Sequence, residues 1–233
     1  MARASKDAAA ALRFLAWLTV PEGRMAGGRL RLARFQKEFV RGAFAPGVAV
    51  ALLSIGRGNA KTALSAGLAL GHLMGEVAPQ PKREVILAAR NRDQAKTAFG
   101  FPVGFIDGLP DENRAQFTIR RGARLEVERT ANGGGVARVI PADGRSILGG
   151  APTLAILDER AAWEREKGDN LENAILSGLG KRDGRALIIS TSVSAGRRPL
   201  VVRLDHSLKF QGMSSAMSRC MWLSRILRSV AAM

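Results

Sequence analysis

Apolar residues recur at helical spacing in two N-terminal stretches of the chain. Leu12, Leu15 and Ala16 mark one face over residues 8–18, and Leu32, Phe35, Phe39 and Val40 mark another over 30–44, which predicts two amphipathic helices. Pro21 and the run from Gly23 to Gly28 separate them as a loop. The next run, Val48 to Ile55, is apolar except for Ser54 and has strand length, with Pro46-Gly47 before it and Gly56 after it. A run without polar alternation reads as a strand buried on both faces. A helix is predicted over 61–75, a short apolar strand over 85–89, and a helix over 93–99 with Gln94 and Lys96 on its polar face.

The pattern changes over residues 115–141. Phe117-Thr118-Ile119 and Leu125-Glu126-Val127-Glu128 alternate, and Val136 to Ile140 follows the glycines at 133–135, so antiparallel strands are predicted in or beside the sheet. Short apolar strands return at 154–157 and 186–190, with a helical stretch at 169–180 between them. Strands alternating with helices predict a three-layer α/β fold with a mostly parallel central sheet and right-handed crossovers. The expected organisation is a helical and linker segment over 1–29, a core domain over 30–195 and a basic tail over 196–233.

Composition agrees with one ordinary α/β domain. The 233 residues are 46% hydrophobic and 24% charged, enough for a core without staples and too apolar for disorder. The longest stretch free of charge, residues 42–56, has 15 residues and contains Pro46, short of the roughly 20 that a membrane span needs. Arg3 and Lys6 precede an Ala-rich run that Asp7 and Arg13 interrupt, so the N-terminus reads as a helix rather than a secretory signal. The single Cys220 has no disulfide partner and no metal-ligand spacing with His72 or His206, and the expected setting is the reducing cytoplasm. His72 itself reads as a packed or solvent-facing residue on the helix over 61–75, and Trp163 as one packed on the sheet.

The net charge of +16 is unevenly spread: +9 over residues 1–83, +1 over 84–195 and +6 over 196–233. Basicity of this size fits a nucleic-acid partner. The plainer alternative is that 28 Arg against 8 Lys, with no Tyr, reflects genome composition, which accounts for a substantial share of the arginines.

Three strand ends carry candidate chemistry. The first buried strand runs into Gly56-Arg57-Gly58-Asn59-Ala60-Lys61-Thr62 and then a helix, the context of a phosphate-binding loop, in which glycines let backbone N–H groups and a helix N-terminus converge on an anion. Lys61 would reach the β- and γ-phosphates, and the Thr62 hydroxyl would ligate Mg²⁺. The strict loop pattern has glycines where this chain has Ile55 and Ala60. Leu154-Ala155-Ile156-Leu157-Asp158-Glu159 ends a second strand in two carboxylates, at the sheet edge where α/β proteins bind ligands. Asp158 suits the Mg²⁺ shell, and Glu159 could orient and deprotonate an attacking water. An acidic pair that merely ends a strand and starts a helix is the plainer alternative. Ile188-Ile189-Ser190-Thr191-Ser192 ends a third strand in hydroxyls able to sense the γ-phosphate.

With those residues in view, the chain resembles the large terminase subunit of tailed bacteriophages, in its N-terminal packaging ATPase domain, over roughly residues 25–200. The family's loop reads R-x-x-G-K-[ST], and Arg57 stands four residues before Lys61. Leu32-Ala33-Arg34-Phe35-Gln36 is similar to the adenine-contact segment, in which Gln36 would read the base. Ala88 to Ala95, the Gly149-Gly150-Ala151-Pro152-Thr153 approach to the carboxylates, and the Ser190-Thr191-Ser192 coupling motif also resemble the family. The resemblance implies an ATP- and Mg²⁺-dependent motor that moves double-stranded DNA into a capsid. It would act as a homo-oligomeric ring on the portal protein with a small terminase subunit, in the bacterial cytoplasm and without a membrane. Arg57 would contact the γ-phosphate or stabilise its charge, and Ala60, where the family has glycine, makes reduced or lost nucleotide binding the alternative expectation.

The family continues into a nuclease domain built on metal-binding carboxylates. Asp205 is the only acid after Thr191, and the resemblance fades after about Ser194, so a truncated or frameshifted gene is the expectation. Two other readings stand beside the packaging ATPase: another P-loop DNA motor of helicase-like type, for whose second motor domain there is no room, and a non-catalytic DNA-binding remnant.

Overall fold

The computed structural model describes residues 5–142 and 150–191, and the backbone of 200–205. In chain order these form α1 (Lys6–Trp17), α2 (Arg34–Ala43), β1 (Val48–Ile55), α3 (Lys61–Leu73), β2 (Arg83–Ala89) and α4 (Arg92–Asp107). A single turn, α5 (Asp111–Arg114), leads to β3 (Phe117–Arg121), β4 (Leu125–Arg129) and β5 (Gly135–Pro141). Then come β6 (Leu154–Asp158), a 3₁₀ turn (Arg160–Ala162), α6 (Arg165–Leu179), β7 (Arg185–Thr191) and β8 (Leu200–Asp205).

The eight strands form one sheet in the order β3-β4-β5-β2-β6-β7-β1-β8. The five from β5 to β1 are parallel, while β3 and β4 at one edge and β8 at the other run antiparallel to their neighbours. This is the expected α/β class. The expectation of an antiparallel run over 115–141 needs one correction, because β5 pairs with β4 antiparallel and with β2 in parallel, making it the junction of the two arrangements.

Alternate residues of the central strands face two cores. Leu53, Ile55, Leu87, Ile156, Leu187 and Ile189 pack under α1 to α4, and Leu52, Ile86, Leu157 and Ile188 pack under Trp163, Leu171, Ile175 and Leu179 of the α6 side. Two apolar faces explain why β1 reads as an unbroken hydrophobic run. α4 is longer than predicted and passes through Pro102. Its buried stripe of Phe99, Pro102, Val103 and Ile106 keeps the helix on the core despite the backbone hydrogen bond that proline removes. α6 also begins earlier than predicted, at Arg165.

The N-terminal segment is pressed onto the domain. A Cβ on Gly67 of α3 would lie 2.5 Å from Leu15 Cδ2, and one on Gly71 would lie 2.7 Å from Phe14 Cδ1, so only glycines let α1 sit this close. The loop after α1 packs on α4 in the same way, where a Cβ on Gly104 would lie 2.5 Å from Pro21 Cβ. β8 lies beyond residue 195, the expected end of the core domain, and pairs with β1 from Val48 to Ser54.

His72 is a packed residue. The carbonyl of Val77 can only accept, so Nδ1 donates to it at 2.9 Å, and Nε2 accepts from the Thr153 hydroxyl at 2.8 Å. Burial lowers its pKa to about 4, which keeps the ring neutral and joins the end of α3 to the start of β6.

The α1–α3 contact gives a direct test. Gly67→Val is expected to destabilise the protein by about 1–3 kcal/mol, because the buried leucines must move. The change should be read as a lower urea midpoint with an unchanged slope.

Candidate functional site

The loop between β1 and α3 is folded by its own groups. The Asn59 side-chain amide donates to the carbonyls of Gly56 at 3.0 Å and Arg57 at 3.2 Å. Gly58 has φ +77° and Ala60 φ +51°, so the chain enters the helix through left-handed backbone. Glycine adopts this freely at position 58, whereas an alanine there costs about 1–2 kcal/mol. α3 starts without a side-chain cap, which leaves its first N–H groups available to an anion. Arg57 is exposed at the mouth of the loop.

Lys61, only 8% exposed, donates from Nζ to the Gly56 carbonyl at 3.3 Å and stands 3.4 Å from Glu159 Oε1. Gln36 is buried with both ends of its amide engaged: Oε1 accepts from the Ala33 N–H at 2.8 Å, and Nε2 donates to the Asn59 carbonyl at 3.0 Å. It therefore fastens the start of α2 to the loop. Contact with a base would require one of these bonds to be exchanged.

The strand order brings the other two strand ends to the same place. β7 lies between β1 and β6, with Thr191 opposite Ile55 on one side and Ile189 opposite Asp158 on the other. The Thr191 N–H donates to Glu159 Oε2 at 2.9 Å, and its hydroxyl donates to the same oxygen at 2.6 Å. Ser190 accepts from the Ala161 N–H at 3.1 Å, and Ser192 lies outside the described residues. Lys61, Glu159 and Thr191 thus form one connected cluster, which also includes the loop carbonyl of Gly56.

Asp158 behaves differently from its neighbour. Burial, with the adjacent Glu159 charge adding and Lys61 opposing, pushes its pKa up from 3.8 to about 6. Its Oδ1 is buried without a hydrogen-bond partner. An orphaned carboxylate oxygen at a strand end is the oxygen chemistry that suits Mg²⁺, a cation that keeps water and phosphate ligands beside one or two protein oxygens. Among the described residues no three His, Cys, Asp or Glu side chains gather into a metal cluster, which such a shared shell does not need.

Sequence reasoning placed Trp163 on the sheet, as the structure has it, but missed how the turn after the carboxylates is held. Glu159 itself has φ +51°, a left-handed conformation held by its N–H to the Ile189 carbonyl at 2.7 Å and by the Ala162 N–H to its own carbonyl at 2.8 Å. Trp163 Nε1 donates to the Asp158 carbonyl at 2.9 Å. Arg160 is buried, with Nε 2.6 Å from Glu172 Oε2 and Nη2 on Asp169. A buried ion pair twelve residues apart leaves no periodic signal, and only the arginine directly after an acidic pair could have hinted at it.

Residues 39–204 match the family model described as the ATPase domain of the terminase large subunit. The terminase large subunit of Enterobacteria phage HK97 is 31% identical over 198 residues, which cover 82% of this chain and 37% of that protein. The crystal structure of the HK97 bacteriophage large terminase superposes with a TM-score of 0.65 at 26% identity, over 79% of this chain and 37% of that one. The ATPase domain of the Thermus phage P74-26 large terminase gives 0.54 at 24% identity, over 69% and 64% of the two chains, which concerns the fold alone. The chain therefore spans 37% of the length of its HK97 relative.

Two measurements probe the site without a ligand. Ala60→Gly is expected to raise stability by about 1 kcal/mol by relieving the left-handed alanine, read as a higher urea midpoint. For Asp158 the folded pKa of about 6 lies above the ordinary 3.8, so its contribution is full below about pH 3.8 and is lost as pH rises through 6. Asp158→Asn should therefore stabilise the protein by about 3 kcal/mol at pH 7 and by only about 0.5 kcal/mol at pH 4. The difference between variant and parent isolates this residue, because His72 titrates alike in both.

Proposed function

The chain belongs to the terminase large subunit family, through its ATPase domain, and from that premise we propose that it hydrolyses ATP with Mg²⁺ to drive double-stranded DNA along a packaging motor. The observation that carries this reading is the joined cluster of Lys61, Glu159 and Thr191 at three adjacent strand ends.

Lys61 is paired with Glu159 and bonded to the Gly56 carbonyl. The γ-phosphate of ATP competes for that ammonium, with the open N–H groups of α3 receiving the phosphates beside it. Glu159, released from Lys61 but still held by Thr191, then orients a water and accepts its proton. Arg57, exposed at the loop mouth, is free to offset charge on the γ-phosphate. Thr62 and Asp158 would hold Mg²⁺, which supplies charge neutralisation at the phosphate oxygens. Gln36 exchanges one of its two hydrogen bonds for the base. Thr191 links Glu159 to β7, so a change at the γ-phosphate reaches the segment after Ser190-Thr191-Ser192, and that is the basis of coupling to movement.

A cationic groove supports the DNA partner. A cavity of about 910 Å³ between α4 and the β3–β4 turn is rimmed by Arg92, Lys96, Arg121 and Arg124, of which the three arginines have no carboxylate partner among the described residues. The near-neutral middle of the sequence thus folds into a locally basic surface. A ring of copies on a portal protein, with a small terminase subunit, completes the proposed machine. No helix among the described residues is long and apolar enough to cross a membrane.

ATP turnover tests the reading. Lys61→Ala is expected to abolish Mg²⁺-dependent ATP binding and hydrolysis, whereas Glu159→Gln should keep binding and lose at least about 100-fold in kcat. Parent-like rates in either variant would remove that residue from the mechanism, and a parent protein without Mg²⁺-dependent ATP binding would favour the DNA-binding remnant. For DNA, Arg121→Ala and Arg124→Ala should each reduce the slope of log affinity against log salt by about 1.

A further inference from the structure

Glu159 sits in left-handed backbone, and the residues on both sides of it are fixed from the α6 face of the sheet. On the N-terminal side, the Asp158 carbonyl accepts from Trp163 Nε1 at 2.9 Å. On the C-terminal side, the Arg160 guanidinium is gripped by Glu172 at 2.6 Å and by Asp169, and its carbon lies 5.2 Å from the centre of the Trp163 ring. Gly168 lets α6 come this close, since a Cβ there would be 2.9 Å from Trp163 Cβ and 3.4 Å from Arg160 Nη1. Arg160, Trp163 and the first turns of α6 therefore form one bracket around the catalytic strand end.

The chemistry of the bracket is informative. Arg160 is 5% and Glu172 3% exposed, and burying such a pair costs desolvation that an apolar pair of similar size would avoid. Burial raises the Glu172 pKa, with the Arg160 charge opposing. What the pair supplies is direction: a planar guanidinium holding two carboxylates at once admits one orientation, which apolar packing does not enforce. The residue whose orientation it fixes most closely is its chain neighbour, Glu159. We infer that Arg160, clamped by Glu172 and Asp169, is a positioning residue for Glu159 in ATP hydrolysis, and that α6 thereby sets the rate of the chemical step. This rests on the reading of Glu159 as the base.

The test uses the whole 233-residue chain. Glu172→Gln keeps the shape and an acceptor for Arg160 Nε while removing the charge. The expected result is a fall in kcat of about tenfold or more, with the Kd for ATP within about twofold of the parent, since the phosphate loop is untouched. In the Glu159→Gln background the same substitution should change the residual rate by less than about twofold, because a residue acting through Glu159 has nothing left to position. Asp169→Asn, on the half-exposed arm of the clamp, repeats the measurement with a smaller fall in kcat and covers the case in which Glu172→Gln does not fold. Folded variants with parent-like kcat, a loss in ATP affinity that matches the loss in rate, or a full further loss in the Glu159→Gln background would each overturn the proposal. If Glu159→Gln alone hydrolyses ATP at the parent rate, the base reading fails and this proposal falls with it. If Glu159→Gln is inactive while Glu172→Gln is not impaired, only the positioning role falls.

Discussion

The parallel register of β6, β7 and β1 is the constraint from which the site follows. With β7 in the middle, the end of β1 and the end of the carboxylate strand β6 are each one strand away from Thr191. Thr191 and Lys61 both engage the Glu159 carboxylate. A register slip of one residue in β7 would turn Thr191 to the opposite face and part the cluster. The buried alternation of Leu187 and Ile189 towards one core and Ala186 and Ile188 towards the other makes that slip costly.

Around this frame, the site holds several arrangements that are unfavourable locally. Ala60 and Glu159 both have left-handed backbone, Asp158 holds one carboxylate oxygen buried without a partner, and Arg160 and Glu172 are charges taken out of water. Each is tolerated because its surroundings over-determine it: two cores, a paired strand on each side and a helix brought close by Gly168. They cluster within the ends of two strands and the turns that follow.

Much of this was legible in the sequence, for physical reasons. β1, β6 and β7 are buried on both faces, so each shows as a short apolar run with a clear stop, and the residues at those stops are the ones brought together. The course of α4 was hidden because Pro102 reads as a break, and only packing of Phe99, Val103 and Ile106 on the core carries the helix past it. The role of Gln36 was visible as a candidate, but its engagement with both Ala33 and Asn59 was not, since neither contact leaves a pattern. The Arg160–Glu172 pair was invisible because a charged residue in a sequence is by default assigned to solvent. Charge counted along the chain likewise missed the arginines of the α4 groove, which lie far apart in sequence and close in space.

The eighth strand has a consequence for how the protein survives in solution. β8 occupies the outer side of β1, so the most apolar strand of the sheet, the one that leads into the Gly56–Lys61 loop, has neighbours on both sides. With β8 detached, Val48 to Ile55 would present an unbroken row of free backbone donors and acceptors flanked by leucine, valine and isoleucine, a template for joining another chain strand to strand. Six residues that follow the central strands in sequence thus stand between a closed sheet edge and a self-associating one.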